Sequence, residues 1–310
     1  MKTFLVRLAS GLTVGIVVIA MLLWNAYSFA AVMAVMLAGS LNEYFNITQP
    51  KRETATGFFQ GKWFVILLSL AAFVKAFILA SPPAQGIPDM GNILVALFEV
   101  LTRFRDSSLA LGAIVPAMVF ILFIVELFSK SEKPFENLGW KTVPIFWILV
   151  PIILTVNIYF AKGGAFVLAM FMIIWMYDSF CYITGSLIGK RKLMERISPK
   201  KTVEGMLGGL VLTLLVFSFA NRIPQLQMLS QIEWLILAFV TMIAATFGDL
   251  VESLLKRSLG VKDSGNIMPG HGGFLDRMDA FFLTVPFVAL TLWVFNQVQN
   301  LILIYNFLSS

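Results

Sequence analysis

The sequence predicts an all-α polytopic membrane protein with about nine transmembrane helices, and three observations lead to this fold class. Apolar residues make up 59% of the 310 positions and charged residues only 13%, about half the charged share of a soluble domain. The apolar residues fall into runs of roughly 20, the length that spans the hydrocarbon core of a bilayer. Basic residues lie mainly in the short segments between these runs. A water-soluble domain could not bury so much apolar surface, so the bilayer must be part of the solvent.

Nine stretches are long and apolar enough to be transmembrane helices. They cover residues 5–24, 27–46, 62–81, 108–129, 143–161, 164–188, 205–221, 233–255 and 279–303. We interpret the first two as a retained helical hairpin, although the basic start of the chain and Ser28-Phe29-Ala30 also fit a signal peptide. Residues 90–104 are apolar but short and carry Glu99 and Arg103, with Arg105 directly after them, which predicts an amphipathic helix at the membrane interface.

The distribution of basic residues predicts the orientation of these helices. If the N-terminus is cytoplasmic, the inside segments hold 18 Lys and Arg and the outside segments hold four, while Lys75 lies within a span. The positive-inside rule therefore places the N-terminus in the cytoplasm and the C-terminus outside. We divide the chain into N-terminal helices (1–130) and a C-terminal region (131–310) with the two most polar inside loops, 190–204 and 256–277. Chemistry is expected in these loops and the adjoining helix ends.

The cytoplasmic end of span 233–255 carries a polar stripe. Thr246, Asp249, Ser253 and Lys256 follow one another at spacings of three, four and three, which places them on one helix face, with Glu252 beside them. A carboxylate within a span is costly unless it meets a partner, a metal or water. The plainer alternative is a helix end that surfaces among lipid headgroups, where acids and bases are common.

Loop 256–277 combines glycines, bases and acids. Gly270, Gly272 and Gly273 allow positive φ and close approach to a ligand, so successive N–H groups there could cradle phosphate oxygens. Asp276 and Asp279 open the last helix one turn apart. They either complement the helix dipole, or Asp276 binds a hard cation such as Mg²⁺, which uses one or two carboxylates together with substrate phosphates.

His271, the only histidine of the chain, lies in the same loop. It could shuttle a proton, or it could hydrogen-bond a phosphate or the backbone. The single Cys181 excludes a disulfide within the chain.

Span 164–188 carries a second acid close to a basic loop. Asp178, Tyr182, Gly185 and Gly189 share one helix face, and the glycines would also allow close helix packing. Asp178 is expected about three turns from loop 190–204.

In loop 190–204, Ser198 is expected to cap the following helix, with Pro199 in its first turn. Lys200 and Lys201 either reflect membrane topology or bind the phosphates of a nucleotide.

At these residues the sequence resembles the phosphatidate cytidylyltransferase family, also called CDP-diglyceride synthetases. The family signature is matched at its usual spacing by Ser253, Lys256, Arg257, Lys262, Asp263, His271, Gly272, Gly273, Asp276, Arg277 and Asp279. The resemblance extends upstream to Gly248-Asp249, to Ser198-Pro199-Lys200-Lys201-Thr202 with Glu204-Gly205, and to Asp178 with Tyr182 and Gly185. It covers roughly residues 170–285. Two residues depart from the family pattern. Met268 stands where the family usually has Leu, Ile or Phe, and Val203 stands where it often has Trp. Neither change alters a charge.

The resemblance implies a helical, often dimeric enzyme that joins CTP and phosphatidic acid into CDP-diacylglycerol and pyrophosphate, with Mg²⁺. It implies Asp249 and Asp276 as metal ligands, with room for a second cation. The implied catalytic residues are Asp249, Asp276, Lys256, Lys262, Asp263 and His271. The implied substrate-binding residues are Asp178, Ser198, Lys200, Lys201, Ser253, Arg257, Gly272, Gly273, Arg277 and Asp279.

The expected partners are CTP, phosphatidic acid, membrane lipids and, in a homodimer, a second copy of the chain. Nucleic acid is not expected as a partner, because the Lys and Arg residues lie in short loops between apolar runs. The expected location is a bacterial inner (plasma) membrane, with the active site on the cytoplasmic side.

Three alternatives remain open from the sequence. One is a related CTP-dependent transferase that acts on another lipid phosphate, such as an isoprenoid phosphate or an ether-linked archaeal lipid. Another is an ion-coupled transporter, which would also place acids inside spans but has no evident need for the Gly-rich loop. A non-catalytic membrane assembly partner would leave the cluster of acids and bases unexplained.

Overall fold

The computed structural model describes residues 15–48, 61–81, 108–129, 133–267 and 272–309. Its helices are α1 (Gly15–Trp24), α2 (Ala26–Thr48), α3 (Lys62–Ala80), α4 (Ser108–Leu127), α5 (Pro134–Pro144), α6 (Val150–Lys162), α7 (Gly164–Ile188), α8 (Val203–Phe217), α9 (Gln231–Leu259) and α10 (Leu275–Ser309). A π-helical turn, Ile145–Leu149, joins α5 to α6, and the 3₁₀ turns Ala220–Arg222 and Pro224–Leu226 follow α8. Two short strands, β1 (Lys192–Met194) and β2 (Ser198–Thr202), lie between α7 and α8.

Within the described ranges, seven helical segments are long and apolar enough to cross a membrane. They are Ala26–Thr48, Lys62–Ala80, Pro134–Lys162, Gly164–Ile188, Val203–Arg222, Gln231–Leu259 and Leu275–Leu301. Gly15–Trp24 and Ala113–Leu127 are apolar but shorter. The helical membrane fold is therefore confirmed. The span predicted at 143–161 begins earlier, at Pro134, because the π-helical turn continues one helix into the next. The amphipathic helix predicted at 90–104 lies outside the described residues.

Glycines bring the helices of the C-terminal region into close contact. Where α7 meets α8, a Cβ on Gly205 would lie 2.8 Å from the carbonyl oxygen of Cys181, and one on Gly209 would overlap the Cys181 sulfur. Where α9 meets α10, a Cβ on Gly248 would lie 2.8 Å from the carbonyl oxygen of Asp279. Backbones this close leave no room for a side chain, as at other small-residue contacts between membrane helices.

Aromatic side chains fill the core between these helices. Trp234 of α9 is fully buried between Phe166 and Phe217, with ring centroids 5.4 and 6.1 Å away. Its indole N–H donates to the carbonyl oxygen of Leu226 at 2.8 Å, which satisfies its one polar group. Phe171 of α7 stacks on Phe281 of α10 at 4.5 Å. These contacts fix α7, α9 and α10 relative to one another.

The loop between α7 and α8 is an antiparallel hairpin of β1 and β2. Ser198 pairs with Met194 within this ladder, so the prediction that Ser198 caps the next helix and Pro199 begins it is wrong. Thr202 is the cap instead, because its hydroxyl accepts the N–H of Gly205 at 3.1 Å. One carboxylate oxygen of Glu204 accepts the N–H groups of both Lys190 and Arg191, which ties the start of the hairpin to α8.

Both ends of α9 are capped. At its start, Ser230 and Glu233 form a reciprocal capping box. At its end, Gly260 adopts a left-handed φ of 72°, and the N–H of Val261 donates to the carbonyl oxygen of Lys256 at 2.9 Å. The cap ends α9 and turns the chain into the rest of loop 256–277.

Candidate active site

A buried lysine joins α9 to α10. The ammonium of Lys256 lies 2.5 Å from Glu252 Oε2, one turn earlier on α9, and 2.6 Å from Asp276 Oδ1 in the first turn of α10. Glu252 has no exposed surface, and the side chain of Asp276 is 6% exposed. The predicted polar stripe on α9 thus meets the predicted acid of α10 in a salt-bridged triad.

The second oxygen of Asp276 is held by the loop. Asp276 Oδ2 accepts the backbone N–H of Ser264 at 2.8 Å, the hydroxyl of Ser264 at 2.9 Å and the N–H of Gly273 at 2.8 Å. Gly272 has a φ of 82°, and a Cβ there would lie 2.6 Å from Asp276 Oδ2. The predicted Gly272 and Gly273 do let the backbone approach an anion closely, and in this structure the anion is the carboxylate of Asp276. Gly270 lies outside the described residues.

Asp249 is the more accessible of the two predicted metal ligands. Its Oδ2 lies 2.5 Å from the ammonium of Lys201 at the end of β2, and its Oδ1 accepts the hydroxyl of Ser253 at 3.2 Å. The two charged side chains are 28% and 29% exposed. Loop 190–204 and span 233–255 were singled out separately in the sequence, and the fold brings them into direct contact.

Three aspartates from three helices share the space around Lys201. Asp178 of α7 interacts electrostatically with Lys201, Asp249 and Arg277. Asp279 of α10 interacts with Lys201 and Asp249 as well. The hydroxyls of Tyr177 and Thr246 lie 2.6 Å apart and join α7 to α9. Of these, Asp249 contacts Lys201 directly, whereas Asp178 and Asp279 interact with it electrostatically.

The remaining predicted basic residues of the site lie at the surface of the protein. Lys200, Arg257, Lys262 and Arg277 are exposed, as is Asp263, while Ser198 is partly buried in β2. Arg257 donates to the carbonyl oxygen of Val261 at 3.1 Å, within the cap of α9. His271 lies outside the described residues. Exposed basic residues, together with the aspartates that interact with Lys201, suit a ligand that carries both phosphates and a cation.

Glu43 also belongs to the site, and the sequence analysis did not select it. Its carboxylate, 2% exposed, accepts the N–H groups of Phe274 and Leu275 at 3.0 and 2.9 Å, and it shares the hydroxyl of Ser264, 3.0 Å away, with Asp276. One signal was present in the sequence, because Glu43 lies within the apolar run 27–46, where a carboxylate needs a partner.

The donor set fits a divalent cation in its chemistry. Within the described ranges, no three Asp, Glu, Cys or His side chains are already grouped closely enough to hold a metal. Asp249 and Asp276, however, are hard oxygen donors, and each is neutralised by a lysine at 2.5–2.6 Å. Mg²⁺ needs only one or two carboxylates when substrate phosphates supply the other ligands. For Asp276, such binding would compete with Lys256.

Comparison with known proteins extends the resemblance over almost the whole chain. Residues 5–295 match the model of the cytidylyltransferase family. The phosphatidate cytidylyltransferase of Bacillus subtilis (strain 168) is 34% identical over 215 residues, which cover 67% of this chain and 78% of that protein. The protein of the same name from Staphylococcus saprophyticus is 38% identical over 244 residues, 73% of this chain and 90% of the relative.

Proposed function

Because this chain belongs to the cytidylyltransferase family, we propose that it is a phosphatidate cytidylyltransferase that works at the face where α7, β2, α9 and α10 meet. In this reaction a phosphate oxygen of phosphatidic acid attacks the α-phosphorus of CTP. The bond from that phosphorus to the bridging oxygen of the β-phosphate breaks, and CDP-diacylglycerol and pyrophosphate are formed. The match over residues 5–295 carries the proposal, because it contains every residue of the site. The same match argues against a transporter or an assembly partner.

The main difficulty of the reaction is electrostatic, since two phosphate-bearing substrates repel each other. The protein has little covalent chemistry to perform, so positioning and charge neutralisation should account for most of the rate enhancement. The exposed Lys200, Arg257, Lys262 and Arg277 can attract CTP from water. Lys201 lies deeper, among the aspartates, where its ammonium is suited to stabilising charge on the α-phosphate.

A bound Mg²⁺ would supply Lewis-acid polarisation of the phosphate oxygens. We propose Asp249 and Asp276 as the residues that hold it, and Asp279 as an additional acid at the same place. The chain itself keeps Asp276 in a fixed orientation through the hydrogen bonds that Ser264 and the N–H of Gly273 donate to Oδ2. Such preorganisation of a charged group costs no rearrangement at the moment of reaction.

We also propose nine membrane crossings, with the N-terminus and the active site in the cytoplasm of a bacterium and the C-terminus outside its inner membrane. The 18-to-four distribution of basic residues supports this orientation. Reporter fusions at residues 51, 130, 222 and 310 would test the orientation, and cross-linking in membranes would test for a homodimer.

The activity is tested with purified protein, labelled CTP, Mg²⁺ and phosphatidic acid, by following the labelled lipid. We expect Asp249→Asn and Asp276→Asn to abolish product formation while membrane insertion is retained. Glu233→Gln is the matched control, because Glu233 lies on the same helix as Asp249 but at its opposite end. A wild-type protein that makes no CDP-lipid would refute the proposed function. A parallel reaction with an isoprenoid phosphate tests the alternative lipid substrate.

A further inference from the structure

The N-terminal half of the chain reaches into the active site through one buried carboxylate. Glu43 lies near the end of α2, and its three described hydrogen bonds all go to loop 256–277 and the start of α10. We propose that Glu43 is a positioning residue, which holds this loop in the conformation that orients Asp276. The inference rests on the proposed function and assigns a role to a helix outside the signature region.

The hydrogen bonds show how the positioning works. Phe274 and Leu275 carry N–H groups at the start of α10, where a helix has no internal acceptors. The carboxylate of Glu43 accepts both N–H groups, and its charge complements the positive end of the helix dipole. Asp276 is the very next residue, so the orientation of the first turn sets the position of its carboxylate.

Ser264 provides a second link between Glu43 and Asp276. Its hydroxyl lies 3.0 Å from Glu43 Oε2 and 2.9 Å from Asp276 Oδ2, and its backbone N–H donates to the same Asp276 oxygen. A displacement of Ser264 would therefore change the hydrogen bonding of both carboxylates. Because such contacts share donors, their effects on activity should be coupled.

Steric contacts indicate that the loop is fitted closely around this carboxylate. A Cβ on Gly265 would lie 2.5 Å from Glu43 Oε1, and one on Gly273 would overlap the carboxylate. One turn earlier on α2, a Cβ on Gly39 would overlap the ring of Phe274. Glycine at these three positions, one on α2 and two in the loop, therefore permits close contact between α2 and the loop. A loosely packed loop would not require glycine there.

Replacement of Glu43 by glutamine keeps the size of the side chain but changes its hydrogen bonding, so it separates the positioning role from packing. A carboxylate can accept all three hydrogen bonds, whereas an amide must direct its NH₂ group toward at least one of the donors. We expect Glu43→Gln to lower kcat at least 10-fold, which corresponds to about 1.4 kcal/mol in the activation barrier. The KM values for CTP and phosphatidic acid should change by less than about three-fold, because the exposed bases are untouched.

The experiment measures kcat and KM per folded molecule, together with hydrogen–deuterium exchange of the full chain. Exchange at Phe274 or Leu275 should rise in Glu43→Gln, because at least one of the two amides loses its acceptor, and exchange should stay unchanged at the start of α9. Glu126→Gln is the matched control. Glu126 is also buried, at 5% exposure, but its partner is Lys141 at 2.7 Å. This control should keep the wild-type kcat and loop exchange.

Gly265→Ala tests the same contact if Glu43→Gln does not fold. It leaves the carboxylate in place and pushes the loop away, so kcat should again fall and loop exchange rise. Gly139→Ala, where a Cβ meets nothing within 4 Å, is its control. Wild-type kcat and exchange in either Glu43→Gln or Gly265→Ala would overturn the inference. A wild-type protein without activity would instead refute the proposed function, so the two failures can be distinguished.

Discussion

Removal of the ammonium of Lys256 should be the most informative test of the site's internal energetics. In Lys256→Met, Glu252 and Asp276 lose the cation that lies 2.5 and 2.6 Å from them. Both carboxylates are buried, so water cannot replace the lost partner. Breaking a buried pair in this way typically costs about 3–5 kcal/mol. We expect a loss of that size in the free energy of unfolding, measured in mixed detergent micelles, together with loss of activity.

The double variant Lys256→Met/Glu252→Met separates the two effects. It replaces a buried ion pair by apolar side chains of similar length, which is often neutral or stabilising. It should therefore recover the part of the lost stability that comes from the unpaired Glu252, while remaining inactive, because Asp276 still lacks its cation. The control Lys133→Met removes an exposed pair with Glu136 and should change stability by less than about 1 kcal/mol. If the double variant were no more stable than Lys256→Met, the inferred energetic coupling between Lys256 and Glu252 would be refuted.

Three further predictions concern the contacts around the site. Lys201→Gln should lower kcat/KM about 100-fold, because the variant lacks the ammonium that would stabilise charge on the α-phosphate. Its stability should fall by less than about 1 kcal/mol, because the pair with Asp249 is partly exposed. A decrease in stability without loss of turnover would contradict this role. Gly248→Ala should destabilise the protein by about 1–3 kcal/mol through the clash at the α9–α10 crossing, whereas Gly139→Ala should not, as unfolding measurements would show. Thr202→Val should cost about 1 kcal/mol by removing the cap of α8, and Thr202→Ser should retain most of that stability.

The helices could be located in the sequence because their length and composition are local properties. A segment that crosses a bilayer must satisfy its own backbone hydrogen bonds and present apolar side chains along about 20 residues. The described helices Ala26–Thr48, Lys62–Ala80 and Gly164–Ile188 accordingly lie within a few residues of the predicted spans. The acids and bases of the signature could be found for the same reason, since charges stand out against apolar runs.

The hairpin between α7 and α8 was not predicted, because its stability does not depend on a local pattern. Its strands are short and highly charged, so they lack the alternation of apolar and polar residues that indicates a strand. Ser198 and Pro199 look like the start of a helix when read alone. Pairing with β1 places Ser198 in a strand and leaves Thr202 as the cap.

The sequence alone therefore determined a membrane-embedded helical enzyme and the residue types of its site, because solvation and charge act residue by residue. The tertiary structure alone decided which charges meet. Lys201 faces Asp249 from a different element, Lys256 faces Asp276 across a helix crossing, and Glu43 reaches a loop more than 200 residues away in the chain. Such pairings follow from the packing of whole helices, and spacing along the chain does not encode them.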